Sequence, residues 1–183
     1  SYNLSQKKIA LLGGDNREKE LLSMLLKCGA SVEVIRDASQ EGVKVIDSIE
    51  GVSNDVSAVI APMTGTDENC QVKKTFDNKE VVITEEFFAS LEVGTKFFIG
   101  FAKEQIKEWS KKYEIDLIEL AALDEVAILN AIPTAEAAIK IAIEKMPITL
   151  HNNNSFVLGL GRVGTTLARR LKALGNRIYG VAR

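Results

Sequence analysis

The chain has 183 residues, of which 46% are hydrophobic and 26% charged, and carries a net charge of −2 at pH 7. This is ordinary for a globular protein of one domain or one and a fraction, and it leaves no electrostatic footprint for nucleic acid or an anionic membrane. No stretch approaches the ~18 unbroken apolar residues of a membrane helix, and the opening SYNLSQKKIALLGGD lacks the pattern of a signal peptide. Cys28 and Cys70 form no CxxC and His151 is the lone histidine, so no metal site is expected. Two buried thiols in a reducing, cytoplasmic setting are the expectation.

KIALLG, stopped by Gly13 and Gly14, predicts a buried parallel strand. Asp15, with Glu18 three residues later, marks a capping-box helix start. Leu21, Leu22, Leu25 and Leu26 keep one face of that helix apolar, Gly29 suits its C-terminal turn, and SVEVIR supplies a second strand. Further strands are predicted at 57–62 (SAVIAP), 81–84 (VVIT) and 96–100 (KFFIG), with polar or helical segments such as EEFFASL and KEQIKEWSKKY between them. DLIEL (116–120) and EVAIL (125–129) each fit a last strand or the edge of a helix. TAEAAIKIAIEKM, entered through Pro133, predicts a strong helix, which Pro147 and HNNNS end.

The alternation of β and α elements predicts an open parallel sheet with covering helices. The domain division that follows is an N-terminal α/β, substrate-side domain over 1–130, a connecting helix over 131–150, and the start of a dinucleotide-binding Rossmann domain over 151–183. Setting Gly13 against Gly159 also sets Gly29 against Gly175, so the chain contains the same strand–turn–helix–strand unit twice. In the second copy Gly159, Gly161 and Gly164 complete G-x-G-x-x-G between a strand and a helix, the arrangement that receives a coenzyme pyrophosphate. In the first copy Asp15 and Glu18 stand where phosphate would go and repel it. Arg162 and Val163 open the second helix. The Arg162 side chain is placed either toward the phosphates or in solvent. The coenzyme-specificity position falls near Arg183, with no acid before it, which favours NADP over NAD. A single βαβ unit leaves a strand unpaired and a sheet face bare, so a continuation of ~100 residues or more is expected.

Four segments, IALLGGDNRE, APMTGTDEN, DEVAILNAIPTAEAAI and VLGLGRVGTTLARRLKALG, together resemble the dipicolinate synthase A-subunit family over nearly the whole chain. The resemblance implies an N-terminal α/β domain before a Rossmann domain, in the manner of 2-hydroxyacid dehydrogenases. It implies oxidation of a dihydrodipicolinate-type intermediate of the lysine pathway to pyridine-2,6-dicarboxylate. It also places that reaction in the mother cell of a sporulating bacterium, beside a flavoprotein-like B-subunit. Alternative readings are another NAD(P)-dependent dehydrogenase of the 2-hydroxyacid type, or a non-catalytic coenzyme-binding protein.

A small dicarboxylate needs oriented donors beyond the strand ends. Thr64, Gly65 and Thr66 of PMTGT offer hydroxyls and backbone N–H groups to one carboxylate. Asn130 and Thr134, read at the start of the connecting helix, offer its positive end to the other, with simple capping as the alternative for Thr134. Asp15 and Arg17 border the same edge, Asp15 as a cap. No catalytic acid–base pair declares itself among His151, Asp124 and Glu136.

Overall fold

A computed structural model describes residues 2–182 and resolves two compact units, one up to Ala121 and one from Ala122 onward. The first is built on six strands: β1 (Lys8–Leu11), β2 (Ser31–Ile35), β3 (Val43–Ile46), β4 (Ala58–Ile60), β5 (Lys96–Ile99) and β6 (Asp116–Glu119). All pair in parallel, in the order β3-β2-β1-β4-β5-β6. Strand order therefore reverses between β1 and β4, the place in an open α/β sheet where ligands commonly bind beyond the strand ends.

Helices cover both faces, as a parallel sheet requires. Helix α1 (Asn16–Lys27) lays Leu22 and Leu25 on Leu11, Val32 and Val34. On the opposite face, α2 (Glu85–Ser90) and α3 (Glu104–Lys112) bury Phe87, Phe88 and Ile106 against Leu12, Val59, Phe97 and Ile99. The rings of Phe88 and Phe97 lie 4.9 Å apart.

The second unit consists of α4 (Asp124–Lys145), β7 (Asn154–Leu158), α5 (Arg162–Ala173) and β8 (Arg177–Val181). β7 and β8 pair in parallel. Ile139 and Ala142 of α4 join Leu167, Ala168 and Leu171 of α5 and Val157 of β7 in one apolar cluster. Phe156, Leu158, Tyr179 and Val181 are exposed, and the rings of Phe156 and Tyr179 stack at 5.0 Å.

Three local expectations change. VVIT is not a strand: Val82 makes only an isolated antiparallel bridge to Gln71, and Thr84 instead caps α2 by accepting the Phe87 N–H at 3.2 Å. EVAIL is helical, and α4 runs through Pro133 rather than starting there. The proline removes the N–H that would meet the Leu129 carbonyl, and Leu129 is an exposed residue, so that carbonyl can be hydrated. Finally, α4 is long and apolar enough to cross a membrane by length and composition, with mean hydropathy 1.6. Counting unbroken apolar runs misses this because Glu136 and Lys140 interrupt an otherwise Ala- and Ile-rich helix.

Candidate coenzyme and substrate sites

At the C-terminal edge of the first sheet, two loops are locked together. The turn after β1 passes through Gly13 and Gly14 into α1, where Asp15 caps the helix and Glu18 returns the capping-box bond. The Asp15 carboxylate accepts the Arg17 backbone N–H at 3.0 Å and holds the Arg17 guanidinium through both oxygens, at 3.0 and 2.9 Å. Those bonds to Arg17 lower the Asp15 pKa to about 2. The carboxylate is thus satisfied by its own helix, as the capping reading requires.

The loop after β4 carries Pro62 to Thr66. Its backbone is pressed against its neighbours: a Cβ on Gly100 would lie 1.8 Å from the Met63 carbonyl oxygen, and one on Gly65 would lie 2.9 Å from that of Phe101. Gly65, at φ +70°, turns the loop. Its N–H donates to the Pro62 carbonyl at 2.9 Å, and its carbonyl accepts from the Lys73 N–H at 3.1 Å. Gly65 therefore shapes the loop and has no N–H to give a ligand, which corrects one expectation. Thr64 and Thr66 differ: both hydroxyl oxygens are buried and have no hydrogen-bond partner among the described residues. Thr66 as a residue is only 1% exposed. Buried hydroxyls are normally paired, so these two are polar groups for which the described residues supply no partner.

Asn130 and Thr134 do not flank a helix start. They lie within α4, which begins at Asp124, and the Thr134 hydroxyl donates back to the Asn130 carbonyl at 2.8 Å. Neither is at the positive end of a helix, because the chain continues helical through Pro133. His151 occupies a turn after α4, Asp124 pairs with Arg162, and Glu136 pairs with Arg170 at 3.2 Å. No cluster of potential metal ligands occurs among the described residues.

In the second unit each motif glycine has a distinct physical reason. Gly159, at φ +92°, makes the turn and donates its N–H to the Val181 carbonyl at 2.8 Å. A Cβ on Gly164 would lie 1.8 Å from the Gly159 carbonyl oxygen, so any side chain there would push α5 off the turn. Gly161 meets nothing within 4 Å: its missing side chain leaves open space directly before the helix. No side chain caps α5 and no acid lies in its first turn. The first amide to pair back is that of Thr165, to the Gly161 carbonyl at 2.9 Å. The amides of Arg162, Val163 and Gly164 therefore lack intrahelical acceptors and point out of a positive helix end. A cavity of about 530 Å³ opens here, lined by Leu158, Gly159, Leu160, Gly161, Val181 and Ala182. The Arg162 guanidinium is turned to Asp124 in an exposed ion pair, an interaction weak enough to yield to phosphate. Arg183 lies outside the described residues.

A parallel α/β unit followed by a glycine-turn βαβ unit defines an α/β fold of the kind that dehydrogenases also use. The fold is shared with D-lactate dehydrogenase with NAD+ from Lactobacillus jensenii, at a TM-score of 0.52 and 13% identity, covering 94% of this chain and 52% of that one. The family is narrower. Residues 8–121 match the N-terminal domain of the dipicolinate synthase A-subunit, and the chain belongs to the dipicolinate synthase A-subunit family. It is 30% identical over 180 residues to the dipicolinate synthase A-subunit of Bacillus subtilis strain 168, covering 96% of this chain and 61% of that protein. The crystal structure of the dipicolinate synthase A-subunit from Bacillus halodurans superposes with a TM-score of 0.92 at 33% identity, over 99% of this chain and 63% of that one. The chain thus spans somewhat under two thirds of the length of these relatives.

Proposed function

We propose that this chain serves NADP-linked oxidation of a dihydrodipicolinate-type intermediate to pyridine-2,6-dicarboxylate, working with a flavoprotein-like B-subunit in the mother-cell cytoplasm during sporulation. The observation that carries the substrate half is the pair of buried, unpartnered hydroxyls of Thr64 and Thr66 at the strand-order reversal. They donate to one carboxylate of the dianionic substrate and fix the ring's orientation. The coenzyme half rests on Gly159, Gly161 and Gly164. The turn lets the backbone approach a pyrophosphate, and the free amides of Arg162, Val163 and Gly164 receive its oxygens. NADP supplies the hydride acceptor. The substrate loses a hydride and a proton and gains an aromatic ring, so the residues of this chain have chiefly to bind and orient. Preference for NADP over NAD follows from Arg183 and from the lack of an acid before it in the sequence.

The test uses the full-length gene product with and without the B-subunit. Dihydrodipicolinate is generated in situ from aspartate semialdehyde and pyruvate, and dipicolinate is followed by its ultraviolet spectrum and mass against a protein-free blank. Product above the blank with NADP, and a KM raised at least tenfold by Thr66→Val, is the expected outcome. Product formation at the blank rate with both proteins present overturns the proposal.

A further inference from the structure

The two loops at the strand-order reversal meet through one side chain, Glu18. It is the N3 residue of α1 and is 5% exposed. One carboxylate oxygen accepts the Asp15 N–H at 2.9 Å, which is the capping-box bond. The other accepts the Met63 N–H, also at 2.9 Å, from a residue 45 positions away. A capping box needs only the first bond. The second ties the start of α1 to the residue immediately before Thr64. Gly14 makes this possible: a Cβ there would lie 2.3 Å from the Cβ of Glu18 and 2.7 Å from its carboxylate. Gly100 packs closely on Met63, where an added Cβ would lie 1.8 Å from the Met63 carbonyl oxygen, so the residue before Thr64 is both hydrogen-bonded and closely packed.

We propose that Glu18 is a positioning residue for the dicarboxylate site, setting the aim of the Thr64 and Thr66 hydroxyls through the Met63 amide. The inference rests on the substrate role given to those hydroxyls. It requires the span of the glutamate as well as its charge. Aspartate is one methylene shorter and cannot reach both amides from the same Cα. Glutamine keeps the length but replaces one acceptor with a donor that faces an N–H.

The experiment measures dipicolinate affinity and NADP affinity of the full-length gene product by calorimetry, for the wild type, Glu18→Asp, Glu18→Gln and Thr66→Val. Exchange of the Met63 amide is followed by NMR in the same samples. Both Glu18 variants are expected to weaken dipicolinate about tenfold, speed Met63 exchange and leave NADP affinity within twofold. That unchanged affinity reports that the coenzyme unit is intact, and thermal unfolding followed by near-ultraviolet circular dichroism reports that the unit carrying Glu18 is folded. A loss of stability without a positioning role would move the melting temperature and leave dipicolinate affinity where it was. Wild-type-like dipicolinate affinity in Glu18→Asp and Glu18→Gln, with Thr66→Val impaired, overturns the positioning role and leaves the site standing. Failure of the wild type to bind dipicolinate, or no effect of Thr66→Val, overturns the site and this inference with it.

Discussion

Gly161 and Gly164 offer a separation of binding from stability that a purely structural glycine turn would not show. Gly161 has φ −72° and ψ −165°, a backbone any residue adopts, and its added methyl would meet nothing within 4 Å. Gly161→Ala should therefore fold normally, and can gain ~0.4–1 kcal/mol because the unfolded chain loses freedom. The same methyl stands in the space a pyrophosphate must enter. Losing that close approach should cost at least tenfold in coenzyme Kd, or ~1.4 kcal/mol. Gly164→Ala is the opposite case. Its methyl would sit 1.8 Å from a backbone oxygen where 3.4–4 Å is ordinary contact, and no flexible side chain is there to give way. Overpacking costs ~1–3 kcal/mol, placed at the upper end by the rigid neighbour and offset by ~1 kcal/mol of helix propensity. A net loss of ~2 kcal/mol is expected. Thermal unfolding followed by circular dichroism, with NADP titration of the same samples, reads both quantities. Wild-type coenzyme affinity in Gly161→Ala would refute the phosphate-cradle argument, whatever Gly164→Ala does.

Two further outcomes follow from charge and burial. Asp15 has its pKa lowered from 3.8 to about 2 by its bonds to Arg17, so its stabilising contribution is complete above pH ~4 and is lost as the pH falls toward 2. With the carboxylate side chain 37% exposed, solvent screening reduces that contribution to on the order of 1 kcal/mol. A carboxyl carbon titration by NMR should give a midpoint near 2, and one at or above 3.8 contradicts the Asp15–Arg17 clasp. Burial, followed by the nearby charges of Asp67 and Glu68, pushes the Cys70 thiol up, whereas Cys28 is partly exposed. Iodoacetamide should label Cys28 at least tenfold faster than Cys70 in the native protein, and equal rates would show that Cys70 is not sequestered.

What the sequence made legible was local. Short apolar runs ending in glycine or proline marked β1, β4 and β5 because burial on both faces of a parallel sheet demands continuous hydrophobic residues. Strand β3 was not marked: it lies at the sheet edge, where Lys44 and Val45 are exposed and the apolar signal thins. The PMTGT loop was legible as a set of hydroxyls, but not which of its groups were already committed. Only the fold reveals that the Gly65 N–H is used on Pro62 while the Thr64 and Thr66 hydroxyls are free of protein partners. The helix through Pro133 misled for the opposite reason. Proline is favoured in a first helical turn, and the sequence does not say that the helix already runs through the exposed residue Leu129, four positions earlier, whose carbonyl loses its donor. The second bond of Glu18 was out of reach altogether, since it joins residues 45 apart through a tertiary contact.

The repeated unit explains why one chain has two chemically different strand-to-helix turns. Both helices, α1 and α5, have 12 residues, and Gly29 and Gly175 both follow at left-handed φ, +87° and +83°. The backbone plan is common to them, so the difference lies in what fills the helix start. In α1, Asp15 and Glu18 take up the free amides and bring negative charge, which closes that end to an anion. In α5 the corresponding positions are Gly161 and Gly164, which leave the amides free and the space before them open. A helix end whose polar groups are satisfied from within can spend its carboxylate on a neighbouring loop, as Glu18 does with Met63. One left unsatisfied favours an anion from outside the chain. Carboxylate against glycine at two positions thus separates a turn that braces a loop from a turn suited to holding a coenzyme.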